Sequence, residues 1–379
     1  MSVADRTWQV LGSVIAVVGV GTCPVFLFGG LAVQLQQEFR FGAALLGVAA
    51  AGFFSVAALS SRAMGWVVER IGHRAGLRLA ACASSLCLFG LAAADSTGWF
   101  LALLWLSGVP NSLGQPAANV LIVEGVPVHR RGLGFAVKQS AIPVATMLAG
   151  ISVPLVALTI GWRWVFAFAG LLGLAAALTV PSIGQARRPA GGGRADGRNA
   201  GLPMLLLFAV GGGLGSAAAN SLGAFVTTAA VDVGFSPGSA GLVLSLGSVF
   251  GLSTRLLSGI ASDRWNPDLV RVITGMLVAG SLGYALLALE IPPLFLLGVV
   301  VGFGAGWAWP GLLNLAVART APDRVAGATS ISQAGVFLGG GLGPLLFGLL
   351  AEFAGLPGAW LAASAAALLA AGLLLLVRR

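Results

Sequence analysis

The chain has 379 residues, of which 58% are apolar and only 9% charged, and its formal net charge is +9. Soluble domains carry about a quarter charged residues, so water is excluded as the main solvent and the class is a polytopic, all-α membrane protein. A basic excess of this size suits nucleic acid or anionic lipid, and the placement of the arginines along the chain decides between them.

Apolar stretches of about 20 residues, the length that crosses a bilayer, recur with short polar breaks. They predict twelve helices at about 9–33, 43–65, 77–95, 98–126, 132–160, 163–182, 203–229, 237–261, 269–289, 292–319, 326–353 and 357–377. Twelve spans put both termini on one side. That side collects sixteen arginines, among them Arg70, Arg74, Arg130, Arg131, Arg187, Arg264, Arg271 and Arg324, against Arg40 and Arg163 on the other. The bias predicts a cytoplasmic location for the first side, with both termini there, in a cell inner or plasma membrane. It also assigns the net charge to topology and to anionic inner-leaflet lipid, so no nucleic-acid partner is implied.

Between Gln185 and Asn199 a Gly191-Gly192-Gly193 run lies among arginines without apolar periodicity, which predicts a linker. The organisation is then an N-terminal bundle over 1–184, a linker over 185–202 and a C-terminal bundle over 203–379. A shift of 194 residues relates Gly65 to Gly259, Glu69 to Asp263, Arg70 to Arg264, Pro116 to Pro310, Arg130 to Arg324, Gln139 to Gln333 and Gly161 to Gly355. Pro, Arg and Gln matching at one offset indicate two related halves of six helices.

The stretch Gly65-Trp66-Val67-Val68-Glu69-Arg70-Ile71-Gly72-His73-Arg74, with its shorter copy Gly259-Ile260-Ala261-Ser262-Asp263-Arg264 and Gly161-Trp162-Arg163-Trp164 before helix 6, resembles the loop signature of the major facilitator superfamily of secondary transporters. The resemblance covers essentially the whole chain. It implies two six-helix bundles related by a parallel repeat, a substrate site near the midplane between them, and alternating access. It also implies that Gly65, Glu69, Arg70 and Arg74, with Gly259, Asp263 and Arg264, gate the cytoplasmic side, Gly65 letting helix 2 approach helix 11 and Glu69 meeting the helix 11 N-terminus. Arg62, three residues before Gly65, is expected to snorkel or to join the gate. The helix 4 Arg of many proton-coupled members and the helix 5 Gly-Pro motif of drug antiporters have no counterpart here.

Ionisable residues inside membrane helices are functional candidates by default. Lys138, the sole lysine, and Arg255 each fall about six residues inside a cytoplasmic helix end, roughly 9 Å deep, with no carboxylate at that depth. The resemblance places helices 5 and 8 face to face, so the expected ligand set is a bidentate fork from Arg255 and a point charge from Lys138 on a small organic anion. Asn111, Gln115, Gln139, Asn220, Gln333 and Trp309 are the candidates to complete the cavity. Each is also explained as helix-to-helix contact or packing. Coupling to a proton would use Lys138 or a proton carried by the substrate.

A multidrug/proton antiporter is the alternative, and a membrane-embedded non-transport protein is the remote one. Catalysis is not expected, since His73 and His129 fall in the predicted cytoplasmic loops, away from any convergent acid or nucleophile. Cys23, Cys82 and Cys87 lie in apolar runs without metal-ligand spacing, so neither metal nor cofactor is expected. The partners implied are a small-molecule substrate, a coupled proton or other ion, and membrane lipid, with the protein a monomer.

Overall fold

The structure, a computed structural model, describes residues 3–40, 43–181, 201–235 and 237–377. Most of the predicted linker, residues 182–200, lies outside the described residues.

The described chain is helical throughout. In order it forms α1 (Val3–Gly30), a short helix Ala32–Phe39, α2 (Ala43–Ile71), α3 (His73–Ala92) and α4, made of Thr97–Leu106 and Gly108–Gly125. Next come α5, made of Arg131–Gln139 and Ala141–Ser152 with a π turn at Val153–Ala157, and α6 (Trp162–Thr179). The second half comprises α7 (Leu202–Asp232), α8 (Pro237–Trp265), α9 (Leu269–Leu287) and α10, made of Pro292–Val301, a π turn Gly302–Gly306 and Pro310–Thr320. A final run Val325–Leu376 bends at Gly355 (φ 70°) into α11 and α12.

Eight continuous stretches among the described residues are long and apolar enough to cross a membrane by length and composition. One of the eight, Pro322–Leu376, holds the pair merged across Gly355, and the rest of the predicted twelve are α8 and the two helices broken at Ser107 and Ser140. Exposed apolar side chains such as Leu59, Leu178, Leu257 and Phe353 cover the outside of the bundles, as lipid requires.

Backbone geometry repeats at the same 194-residue offset as the sequence. Positive φ occurs at Arg40 and Gly234, at Gly72 and Asn266, and at Gly161 and Gly355. One-turn 3-10 helices at Val128–Arg130 and Pro322–Arg324 match in the same way. The sharp turn at Gly72 (φ 83°) corrects the expectation that His73 is a loop residue. It opens α3, is buried, and its Nδ1 lies 3.1 Å from Glu124 Oε2.

At the face opposite the arginine-rich loops, Glu38 accepts from Arg163 Nη2 at 2.6 Å and from Trp162 Nε1 at 2.5 Å. Arg163 also donates to the Ala94 carbonyl at 3.0 Å. The Gly161-Trp162-Arg163-Trp164 motif thus ties the start of α6 to the short helix after α1 and to the turn after α3. The Arg163 bond holds the Glu38 carboxyl below its ordinary pKa, against the raising effect of partial burial.

Apolar packing differs at the two ends of the molecule. Near the arginine-rich face one continuous cluster joins both halves, with Leu121 and Phe135 of the first and Trp309 and Leu313 of the second among its members. Toward the other face each half keeps its own core, one around Phe28, Phe100 and Phe166, the other around Phe295, Phe347 and Trp360.

Candidate functional site

Two ties close the arginine-rich face between the halves. Asp263, near the end of α8, accepts from the backbone N–H of Gly132 (2.6 Å) and Leu133 (2.7 Å), in the first turn of α5. A helix N-terminus offers unpaired N–H groups and a positive dipole end, so a carboxylate there makes charge-assisted bonds. The close approach exists because Gly259 and Gly132 face each other; a Cβ on Gly259 would collide with Ala136 and the Gly132 carbonyl.

The second tie is the repeat counterpart. Glu69 Oε1 accepts from Gly327 N at 3.1 Å, in the first turn of α11. A Cβ on Gly65 would overlap Ser330, so glycine is what brings α2 onto α11. The shorter copy of the loop motif carries a carboxylate with two short backbone bonds. Of the other gate candidates, Arg70 lies over the Trp66 ring at 3.6 Å, Arg74 follows His73 in the first turn of α3, and Arg264 is exposed near the end of α8. Arg62 lines a separate space at the same face, with Trp66, Glu69 and Arg324.

Beyond these ties, a cavity of about 660 Å³, counting its open mouth, lies between the halves. Asn111, Gln115, Gln139, Asn220, Trp309, Gln333 and Arg255 all line it, together with Phe26, Phe53, Phe54, Phe337 and Trp307. The lining therefore combines side-chain amides with aromatic rings. Among the described residues Asn111 Nδ2 and Gln115 Oε1 are buried without a hydrogen-bond partner, on residues 2% and 3% exposed. At i and i+4 they share one face of α4. Asn220 is satisfied within its own helix by Ser216. The Trp309 indole donates to the Gly306 carbonyl at 2.8 Å and is wholly buried, so its exposure to the cavity is slight.

Arg255 is the charged side chain of this lining. Eight residues from Asp263 along α8, it stands about 12 Å further from the arginine-rich face. Its Nε and Nη2 donate to the Trp307 carbonyl at 3.3 and 2.8 Å, and Nη1 donates to the Gln139 carbonyl at 3.2 Å. The Gln139 carbonyl is free for this because its intrahelical donor would be residue 143, which is Pro143 and has no N–H. Three of the five guanidinium donors are engaged, leaving one on each terminal nitrogen. A smaller space of about 300 Å³ continues from Arg255 between Pro143, Leu252 and Phe303.

Lys138 does not join it. The structure turns Lys138 toward α4, fully buried, where Nζ donates to Asn119 Oδ1 at 2.7 Å. Successive helix residues point about 100° apart; with Gln139 facing the cavity, its neighbour cannot. The expected two-cation clamp is corrected to a single guanidinium. The residues that sequence reasoning passed over are the aromatic ones, since Phe26, Phe53, Phe54 and Phe337 give the same signal in a membrane helix whether they face lipid, core or cavity.

A sequence profile of the Major Facilitator Superfamily matches residues 10–207 and again 207–379. The chain belongs to the Major Facilitator Superfamily. Its two matches coincide with the two halves related by the internal repeat. As a superfamily member it is similar to an MFS-type efflux pump of Mycolicibacterium smegmatis, 27% identical over 375 residues that cover 92% of this chain and 85% of that protein.

Among solved structures of the superfamily, the human organic anion transporter MFSD10 (TETRAN) superposes with a TM-score of 0.79 at 16% identity, over 97% of this chain and 99% of that one. The proton:xylose symporter XylE gives 0.80 at 16% identity, over 98% and 95%. FucP in its outward conformation gives 0.75 at 14%, over 97% and 98%. At such identities these likenesses establish the fold. The chain is therefore a multi-pass membrane protein of a transporter superfamily.

Proposed function

We propose that this protein moves small organic anions across the membrane by alternating access, with Arg255 as the anion ligand. The observation that carries the reading is the Arg255 guanidinium on the central cavity wall, held there by two neutral carbonyls. Among the described residues no carboxylate lines that cavity. A desolvated cation with donors to spare favours an anion, and guanidinium suits the two oxygens of a carboxylate. The aromatic residues of the lining suit an apolar body on the same molecule, and Asn111 with Gln115 a polar substituent.

Arg255 gives the mechanism its link between cargo and conformation. Its bond to the Gln139 carbonyl joins α8 of one half to α5 of the other. A carboxylate that takes over this donor removes a cross-half bond at the cavity floor, while Asp263 and Glu69 hold the arginine-rich face, which we assign to the cytoplasm, until the halves rock. The organic anion named for the human structure agrees with the sign of this cavity, although that likeness carries fold alone.

The efflux reading has its own support in the M. smegmatis relative, and it concerns direction as much as cargo. An exporter of cationic drugs would want an acid in the cavity, so an efflux role is better matched to anionic or amphipathic compounds. The test is uptake and binding of labelled aromatic and aliphatic carboxylates by protein in proteoliposomes. Arg255→Gln is expected to weaken anion affinity about tenfold to a hundredfold, the worth of one to two charge-assisted bonds, with Arg255→Lys intermediate. Unchanged affinity in Arg255→Gln would reject the assignment, and drug resistance insensitive to that substitution would favour the multidrug alternative.

A further inference from the structure

Arg255 borders two spaces, the central cavity and the groove of about 300 Å³ between α5, α8 and α10. The groove exists because α8 follows α5 closely only as far as Gln139. Along Arg131–Gln139 the two helices touch, so that a Cβ on Gly259 would collide with Ala136. Beyond the break at Ser140 the second piece of α5, Ala141–Ser152, parts from α8. There α8 leans on α10 instead, and a Cβ on Gly251 would lie 3.2 Å from the Phe303 carbonyl.

The lining takes Ile142 and Pro143 from α5, Ser248 and Leu252 from α8, and Phe303 and Trp307 from α10. Arg255 is its one charged side chain, and Ser248 Oγ already donates to the Leu244 carbonyl at 3.0 Å. The other side chains are aliphatic or aromatic. Met147, one turn after Pro143 on α5, and Val249, three residues before Leu252 on α8, neighbour the lining and are 58% and 60% exposed. Residues 248–255 occupy the middle of the 29-residue α8, so the groove leaves the bundle at the level of the hydrocarbon core.

A guanidinium at the inner end of an apolar groove that opens on hydrocarbon fits a molecule with an anionic head and an apolar chain. A second polar group would find no partner along the groove, and a methylene chain needs none. We infer that the cargo is an amphipathic carboxylate, its head on Arg255 and its linear apolar chain in the groove between α5 and α8. This rests on the anion reading of Arg255 and adds the kind of anion and the place of its chain.

The experiment is equilibrium binding of labelled linear carboxylates, from butanoate to dodecanoate, to the full-length protein in lipid nanodiscs, each corrected for partition into empty nanodiscs. Affinity is expected to rise about twofold to fourfold per added methylene until the groove is filled, up to the worth of one fully buried methylene. Ser248→Phe, which puts a ring into the groove, should flatten the series, so that octanoate loses at least tenfold relative to butanoate. Leu252→Trp fills the groove from another position and gives the same reading if Ser248→Phe folds poorly. Leu257→Trp, on an exposed part of α8, should keep the parent's slope. Arg255→Gln should weaken every member of the series. A flat series in the parent, with binding still dependent on Arg255, overturns the groove and leaves the anion reading standing. A slope that survives both Ser248→Phe and Leu252→Trp puts the chain elsewhere and overturns it too. Affinities indifferent to Arg255→Gln overturn the anion reading and this inference together.

Discussion

The tie between α8 and α5 is a sharply defined contact between the halves, and Asp263→Asn is the perturbation that tests whether it acts as a gate. The carboxylate accepts from Gly132 N and Leu133 N at 2.6 and 2.7 Å, one N–H for each oxygen. Asparagine keeps one acceptor oxygen at nearly the same place and replaces the other by an NH₂ that faces a donor. The substitution therefore removes one charge-assisted bond, about 1.5–3 kcal/mol, and the charge–dipole attraction of the α5 N-terminus, about 0.3–1 kcal/mol. Most of that loss falls on the closed state, because opening the face already gives both bonds up to water. A net shift of about 2 kcal/mol corresponds to roughly thirtyfold in the closed-to-open ratio.

Distance distributions between spin labels at Ile71 and Trp265, exposed ends of α2 and α8, would read this directly, in a background with Cys23, Cys82 and Cys87 replaced. The long-distance population should rise in Asp263→Asn, and Glu69→Gln should move it in the same direction. The two ties share no partner residue, so the double variant should move it by about the sum. A distribution in Asp263→Asn that superposes on the parent would refute the assignment of this contact as a gate.

Two further predictions follow from groups outside the cavity. Lys138→Met, which replaces a fully buried cation held by one amide with an apolar chain of similar length, should leave anion affinity within about twofold and thermal stability unchanged or raised. A large loss of affinity would return Lys138 to the cargo site. Glu38 has its carboxyl pKa lowered by Arg163, so its contribution to stability is complete above the unfolded-state value of about 4 and is lost as pH falls through the lower folded value. The melting temperature of Glu38→Gln should therefore be lower than the parent's near neutral pH, with the gap closing on acidification; a gap that stays constant would contradict the ion pair. With both side chains more than a third exposed, the effect is small.

The fold was legible in the sequence because the bilayer imposes one pattern on it. Apolar runs of set length, arginine asymmetry and a 194-residue repeat all survive without tertiary context, and the positive φ angles at Gly72 and Gly161 recur at Asn266 and Gly355. The close contacts between the halves at the arginine-rich face were legible as well, since glycine and a carboxylate at a helix end are costly in a membrane protein and signal close approach. The cavity was legible only in part. Polar residues in apolar helices announce themselves, which is how Asn111, Gln115, Gln139 and Gln333 could be named, but depth along a helix does not give direction around it.

Lys138 shows the difference. Its depth matched that of Arg255, yet one 100° step separates it from Gln139 and sends it toward Asn119. Composition, length and repeat determined that this chain is a two-bundle membrane protein, because insertion energetics act on each helix separately. Which side chains meet, which carbonyl Pro143 frees for Arg255, and which aromatic residues face the cavity were decided by tertiary structure alone, because those contacts depend on how each helix is rotated against its neighbours.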